Sequence, residues 1–159
     1  MNAMAPARPA ELHQRRVRLV REPAAAGQAR RQLRAALCAW QVAVDPDIAI
    51  LLISDVVTNV VTRGAGPSVS VAIRCTPTHL RVDAQDSARS LTLAAEDAPG
   101  EMDGGPELAL VALLADDWGV FRTPAGRTVY FALALDGPAA GPPLNLETVV
   151  PPQSSRRSD

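Results

Sequence analysis

The chain has 159 residues, of which 47% are apolar and only 3% aromatic, so it fits one domain whose core must be built from Ala, Val, Leu and Ile. A net charge of −1 argues against general nucleic-acid binding. All 16 basic residues are arginine, which excludes a P-loop lysine and Schiff-base chemistry, and two His with two Cys cannot assemble a zinc-type ligand cluster.

The charge is unevenly spread. Residues 1–44 hold eight Arg against two Glu, whereas residues 45–136 hold six Arg against thirteen acids. The basic first part reads as a solvated helix face, with an acidic partner protein as the alternative. Cys38 and Cys75 fall in apolar patterns and read as small core residues. No apolar run reaches membrane-spanning length and the N-terminus lacks a signal-peptide core, so the expected location is the cytoplasm, with no membrane partner.

Residues 1–12 are rich in Ala and Pro and are expected to be loose. RRVRLV, from Arg15, alternates and predicts a first strand. Glu22-Pro23 marks a helix start with Pro at its first position. Ala24, Ala25, Ala29, Leu33, Ala36, Leu37 and Trp40 then recur at helical spacing. Asp45-Pro46 is a second start, Asp as N-cap and Pro just inside. The next segment is full of β-branched residues, which favour a strand. Its periodicity is helical all the same: Ile50, Ile53, Val57, Val60 and Val61 share one face, and Ser54, Asp55, Thr58, Asn59 and Thr62 the opposite one. Gly64 ends the pattern as a C-cap residue would.

SVSVAIRC from Ser68 and LRVDAQD from Leu80 read as a β-hairpin around a turn containing Pro77. Leu80, Val82, Ala84 and Asp86 share one face, so a core-facing row ends in a carboxylate that needs partners. Those partners are either backbone amides of the next turn or the amino group of a ligand. Residues 87–104 form a long loop rich in acids, Gly and Pro. Gly104, Gly105 and Pro106 lead into ELALVALLADDW, which reads as an apolar helix; glycines there mark a turn or let backbone N–H groups face a phosphate. FRTPAGRTVYFALAL closes the domain as a hairpin turning at Ala125-Gly126. A single domain is therefore expected over residues 13–136, followed by a Pro-, Gly- and Ser-rich tail, 137–159, expected to be disordered.

The most informative pair is Asp55 and Asn59. Four residues apart, they leave the same face of a helix. A carboxylate beside a carboxamide can hold a hydrated divalent metal and orient a hydroxyl or water.

In order and spacing, SDVVTNVVTRG at 54–64, LRVDAQD at 80–86, LALVALLADDWGV at 108–120 and GRTVYFAL at 126–133 resemble the GHKL (Bergerat-fold, HATPase) superfamily. The nearest likeness is to its anti-sigma-factor serine-kinase branch, over about residues 13–135. The resemblance implies an α+β fold, a two-layer α/β sandwich with a mixed, mainly antiparallel sheet and helices on one face. It implies ATP or ADP with Mg²⁺ as cofactor. Asn59 takes the position of the metal ligand and Asp55 that of the acid activating the attacking hydroxyl. Asp86 matches the residue that recognises the adenine amino group, with Ala88 just after it. Gly104, Gly105 and Leu108 match the phosphate loop and the helix it opens, and Thr128 matches a threonine near the nucleotide. The implied partners are a sigma factor, an anti-anti-sigma (STAS-type) protein, or both, and a homodimer like those relatives commonly form.

Three departures from the family pattern matter. Asp55 replaces Glu, one methylene shorter, and a displacement of about 1 Å can cost on the order of a hundredfold in rate. The adenine motif, normally Asp-x-Gly or Asp-x-Ser, reads Asp86-Ser87-Ala88. The phosphate loop, normally Gly-x-Gly, reads Gly105-Pro106-Glu107, which places a carboxylate where phosphates would lie and removes one N–H donor. The chain is thus either an Mg-ATP-dependent serine/threonine kinase and anti-sigma factor, or a degenerate relative with weak or no ATP binding that regulates by stoichiometric protein binding. A third reading, an unrelated α/β enzyme using Asp55 and Asp86 as an acid/base pair, fits the order of motifs poorly.

Overall fold

In a computed structural model of the chain, residues 12–87 and 108–136 are described. The expectations for the N-terminal residues 1–11, for Ala88, Gly104, Gly105, Pro106 and Glu107, and for the tail 137–159 fall outside them.

The first strand, β1 (His13–Val20), turns outward at alternate residues and ends at a bend before α1 (Ala24–Trp40). Helix α1 buries Ala25, Ala29, Leu33, Ala36 and Leu37, a stripe at helical spacing whose small alanines let it pack closely on α2 (Pro46–Arg63). Cys38, one step past this stripe, is exposed and is not the core residue expected; Cys75 is buried as expected. Helix α1 closes through Gln41, in the left-handed conformation at φ 53°, whose N–H returns to the carbonyls of Leu37 and Cys38.

Helix α2 begins as its sequence demands. The Asp45 carboxylate accepts from the N–H groups of Asp47 (2.9 Å) and Ile48 (3.4 Å), and Pro46 follows at the first helical position. Its buried side is wider than a single stripe. Leu52, Val56 and Asn59 are buried together with Ala49, Ile50, Ile53, Val57 and Val60, because the helix packs on α1, on the sheet and on α3 (Ala109–Leu114). Burial on several sides explains why a segment rich in β-branched residues is helical: tertiary packing outweighs a weak local preference.

The sheet has the order β1-β2-β3-β5-β4, with β2 (Ser68–Cys75), β3 (His79–Asp86), β4 (Asp117–Thr123) and β5 (Gly126–Ala134), and every neighbouring pair is antiparallel. The fold is therefore α+β, a two-layer sandwich. The mixed sheet expected is wholly antiparallel among the described residues, since β2–β3 and β4–β5 are tight hairpins. Val69, Val71, Ile73, Leu80, Val82 and Phe131 form the apolar floor under the helices.

Two boundaries differ from the sequence reading. The helix expected through Trp118 stops at Leu114, because sheet pairing captures the chain: Asp116 N–H donates to Ala132 O at 3.0 Å and the Asp116 carboxylate accepts from Ala134 N–H at 2.7 Å. The last hairpin turns at Pro124-Ala125, one residue early, since Thr123 pairs with Gly126. The Thr123 hydroxyl accepts from Ala125 N–H at 3.2 Å and holds that corner.

Replacing Asp45 by Ala is expected to cost about 1 kcal/mol of stability, and Asp45→Asn a few tenths at most. Urea denaturation checks this; equal losses in both variants would remove the N-cap from the account of α2.

Candidate functional site

Asp86 ends β3 on the helix-facing side of the sheet, and its residue is 6% exposed. A buried carboxylate must be satisfied by donors. One oxygen accepts from Ala65 N–H at 2.9 Å and the other from Arg127 N–H at 3.0 Å. Asp86 thus joins the second residue past α2 to the second residue of β5. The partners are backbone amides, as one of the two sequence readings held, but they come from two other elements and not from the turn after β3. Each carboxylate oxygen can accept more than one bond, so acceptor capacity remains.

Gly64 makes this junction fit. It is the C-cap the sequence suggests, its N–H returning to the Val60 carbonyl, with an ordinary φ of −78°. Space is the constraint: a Cβ at position 64 would stand 2.9 Å from the Asp86 Cβ and collide with the Val60 carbonyl. Beside it, Arg21 donates to Gly66 O (2.6 Å) and Val61 O (2.8 Å), tying the end of α2 to the end of β1.

Asn59 lies on the turn of α2 before Gly64 and is fully buried. By periodicity it belongs to a polar row that is otherwise half-buried or exposed. Its Oδ1, the atom a metal would use, accepts from Arg127 Nη1 at 2.7 Å, and Arg127 is itself buried. The contact is short and charge-assisted. Arg127 is the residue that sequence reading missed. The signal was present: Arg127 is in phase with Val129, Phe131 and Leu133, the apolar row of β5, and so faces the helices.

Thr128 is out of phase with that row. It lies on the opposite side of the sheet, where it borders a trough with Gln85 and Phe121, and it is not brought to Asp86 or Asn59. Leu108 is 1% exposed and its side chain belongs to the hydrophobic core. Asp55 sits one turn before Asn59 and is half-buried. Burial pushes its carboxyl pKa above the ordinary 3.8. The structure therefore assembles Asp86, Gly64, Arg127 and Asn59 in one place, with Asp55 along the same helix.

No family model matches the sequence, and no curated protein matches it. Among solved structures the chain is similar to the crystal structure of the RsbU and RsbW domains of Rv1364c from Mycobacterium tuberculosis, with a TM-score of 0.58 and 20% identity over 77% of this chain. The chain spans 32% of the length of that protein's chain. At this identity the likeness is one of fold. No described helix is long and apolar enough to cross a membrane.

Gly64→Ala is expected to destabilise the protein by about 1–3 kcal/mol, the range for an overpacked interior, and a loss below 0.5 kcal/mol would refute the close approach. Asp55 gives a prediction in pH. Its folded pKa lies above its unfolded one, so its penalty is absent below 3.8 and grows as pH rises through the folded value. Asp55→Asn should therefore gain stability relative to the parent between acid and neutral pH. Denaturation at several pH values would contradict this if the difference were flat or fell.

Proposed function

We propose that this protein is a regulator of the partner-switching kind that acts by stoichiometric protein binding, on a nucleotide-binding type of scaffold whose metal position is taken by Arg127. The observation that carries the reading is the 2.7 Å bond from Arg127 Nη1 to Asn59 Oδ1. A Mg²⁺ ion needs near-ideal octahedral oxygen geometry. At Asn59 it would have to displace a buried guanidinium from the only side-chain oxygen the residue has, and would meet that positive charge beside it. The residues present do not fit the ion. The sequence departures at Asp55, Ala88 and Glu107 point the same way.

The fold likeness to a structure containing an RsbW domain supports the regulatory class, together with the motif order that resembles anti-sigma-factor kinases. On that resemblance the partner is a sigma factor or a STAS-type protein. One observation favours the alternative, an ATP-binding kinase: Asp86 ends β3 with acceptor capacity to spare, as adenine recognition would require.

Calorimetric titration separates the two. The expected result is a Kd for Mg-ATP weaker than about 1 mM, unchanged when EDTA replaces Mg²⁺. Micromolar binding that depends on Mg²⁺ would overturn the proposal in favour of the kinase. Complex formation with a sigma factor or STAS-type protein is expected to be the same with and without ATP.

A further inference from the structure

The side of the sheet away from the helices carries a second feature. Its residues stand in rows set by the strand register. Arg18, Ser70, Gln85, Thr128 and Phe121 form one row across the five strands. Arg16, Ala72, Asp83, Tyr130 and Gly119 form the next, and Gln14, Arg74, Arg81, Ala132 and Asp117 the third. Ser70 and Ala72 on β2 are small, and the face holds a trough of about 570 Å³. Among the described residues four arginines line it, Arg16, Arg18, Arg74 and Arg81, against one acid, Asp83. Phe121, 39% exposed, adds an apolar wall.

The arginines are not equivalent. Arg81 is fixed: it donates to both oxygens of Asp83, at 2.9 and 3.1 Å, and stacks 4.0 Å from the Tyr130 ring centroid. Arg18 spends its Nε on the Ser68 hydroxyl at 3.0 Å. Arg16 and Arg74 have interaction partners too, so an incoming carboxylate gains partly by exchange. The balance of the lining is nonetheless positive, in a chain whose net charge is −1.

We propose that this trough is the docking site for an acidic, extended segment of a partner protein. The inference deepens the proposed function, on which it rests, by giving the partner a place and a chemistry. Spacing supports it. Arg16 and Arg18 leave the same face of β1 two residues apart, roughly 6.7 Å, the spacing of alternate side chains in an extended chain. Acidic side chains at every second position of a segment lying along β1 would meet Arg16 and Arg18 in turn. A second copy of the same face is disfavoured, because it would set like charges against each other. Nucleic acid is disfavoured by Asp83 at the centre and by the overall charge.

The test uses the full chain and a labelled peptide of about twelve residues with Glu at every second position and Val and Ser alternating between. Fluorescence anisotropy at low salt should give a Kd on the order of 100 µM or tighter, weakening as salt rises. The double charge reversal Arg16→Glu/Arg18→Glu should weaken binding about tenfold or more, while Arg16→Lys/Arg18→Lys stays within about threefold. Circular dichroism and the urea midpoint establish that both variants fold. Undiminished binding by the charge-reversed chain overturns the proposal, as does failure of the native chain to bind. Equal binding of a single-stranded oligonucleotide of similar length overturns it in favour of a nucleic-acid site. The peptide titration reads the open sheet face and the Mg-ATP titration reads the α2 site, so either proposal can fail without the other.

Discussion

A carboxylate closed off from water at the end of a strand has to find donors, and in this protein Asp86 finds them on two other elements. One oxygen takes the N–H of Ala65, fixing where α2 hands over to β2. The other takes the N–H of Arg127, fixing the second residue of β5. From these two bonds the neighbourhood follows. Gly64 must lack a Cβ so that the helix end can approach Asp86. Arg127, held at its backbone, sends its side chain under α2, and Asn59 meets it there. The network also joins the sequentially distant halves of the fold, since α2 precedes β5 by more than sixty residues. It therefore supports the sandwich as much as it defines a site.

The same network bears on chemistry. Positive charge at Asn59 is supplied by the chain itself, as a guanidinium with a fixed fork of donors. In a chain without lysine, one arginine then satisfies the buried amide oxygen of α2 and fills the space beside it. Asp55, a turn away, has a carboxyl pKa raised by burial. These properties underlie the proposal that the scaffold presents surfaces and does not move a phosphoryl group. The arginine-lined trough, on the other side of the sheet, is a surface of that kind.

Much of the fold was legible in the sequence. Asp45-Pro46 and the 3.6-residue period identified α2 against its β-branched composition, and alternation identified β1, β2 and β3. What the sequence hid has physical causes. A single periodic stripe cannot show that α2 is packed on several sides, so Asn59 was placed with the polar residues although it is buried. The apolar run after Leu108 looks helical through Trp118, but Asp116 is already paired to β5. In the last strand the family likeness drew attention to Thr128, while the alternation of Val129, Phe131 and Leu133 marked Arg127 as the residue facing the helices. The early arginines, read as a solvated helix face, include several with structural roles: Arg15 donates to Gln32 O, Arg30 to the Ser54 hydroxyl and Arg21 to the end of α2.

The central claim is that Arg127 holds the Asn59 oxygen and keeps a divalent cation from it. Side-chain NMR of ¹⁵N-labelled arginine tests this most directly, with the Arg127 guanidinium assigned by comparison with Arg127→Gln. The account predicts slowed rotation and slow hydrogen exchange for that group, unchanged when Mg²⁺ and ATP are added together. A guanidinium that is freely rotating, or that is released from Asn59 when Mg-ATP is added, would contradict it.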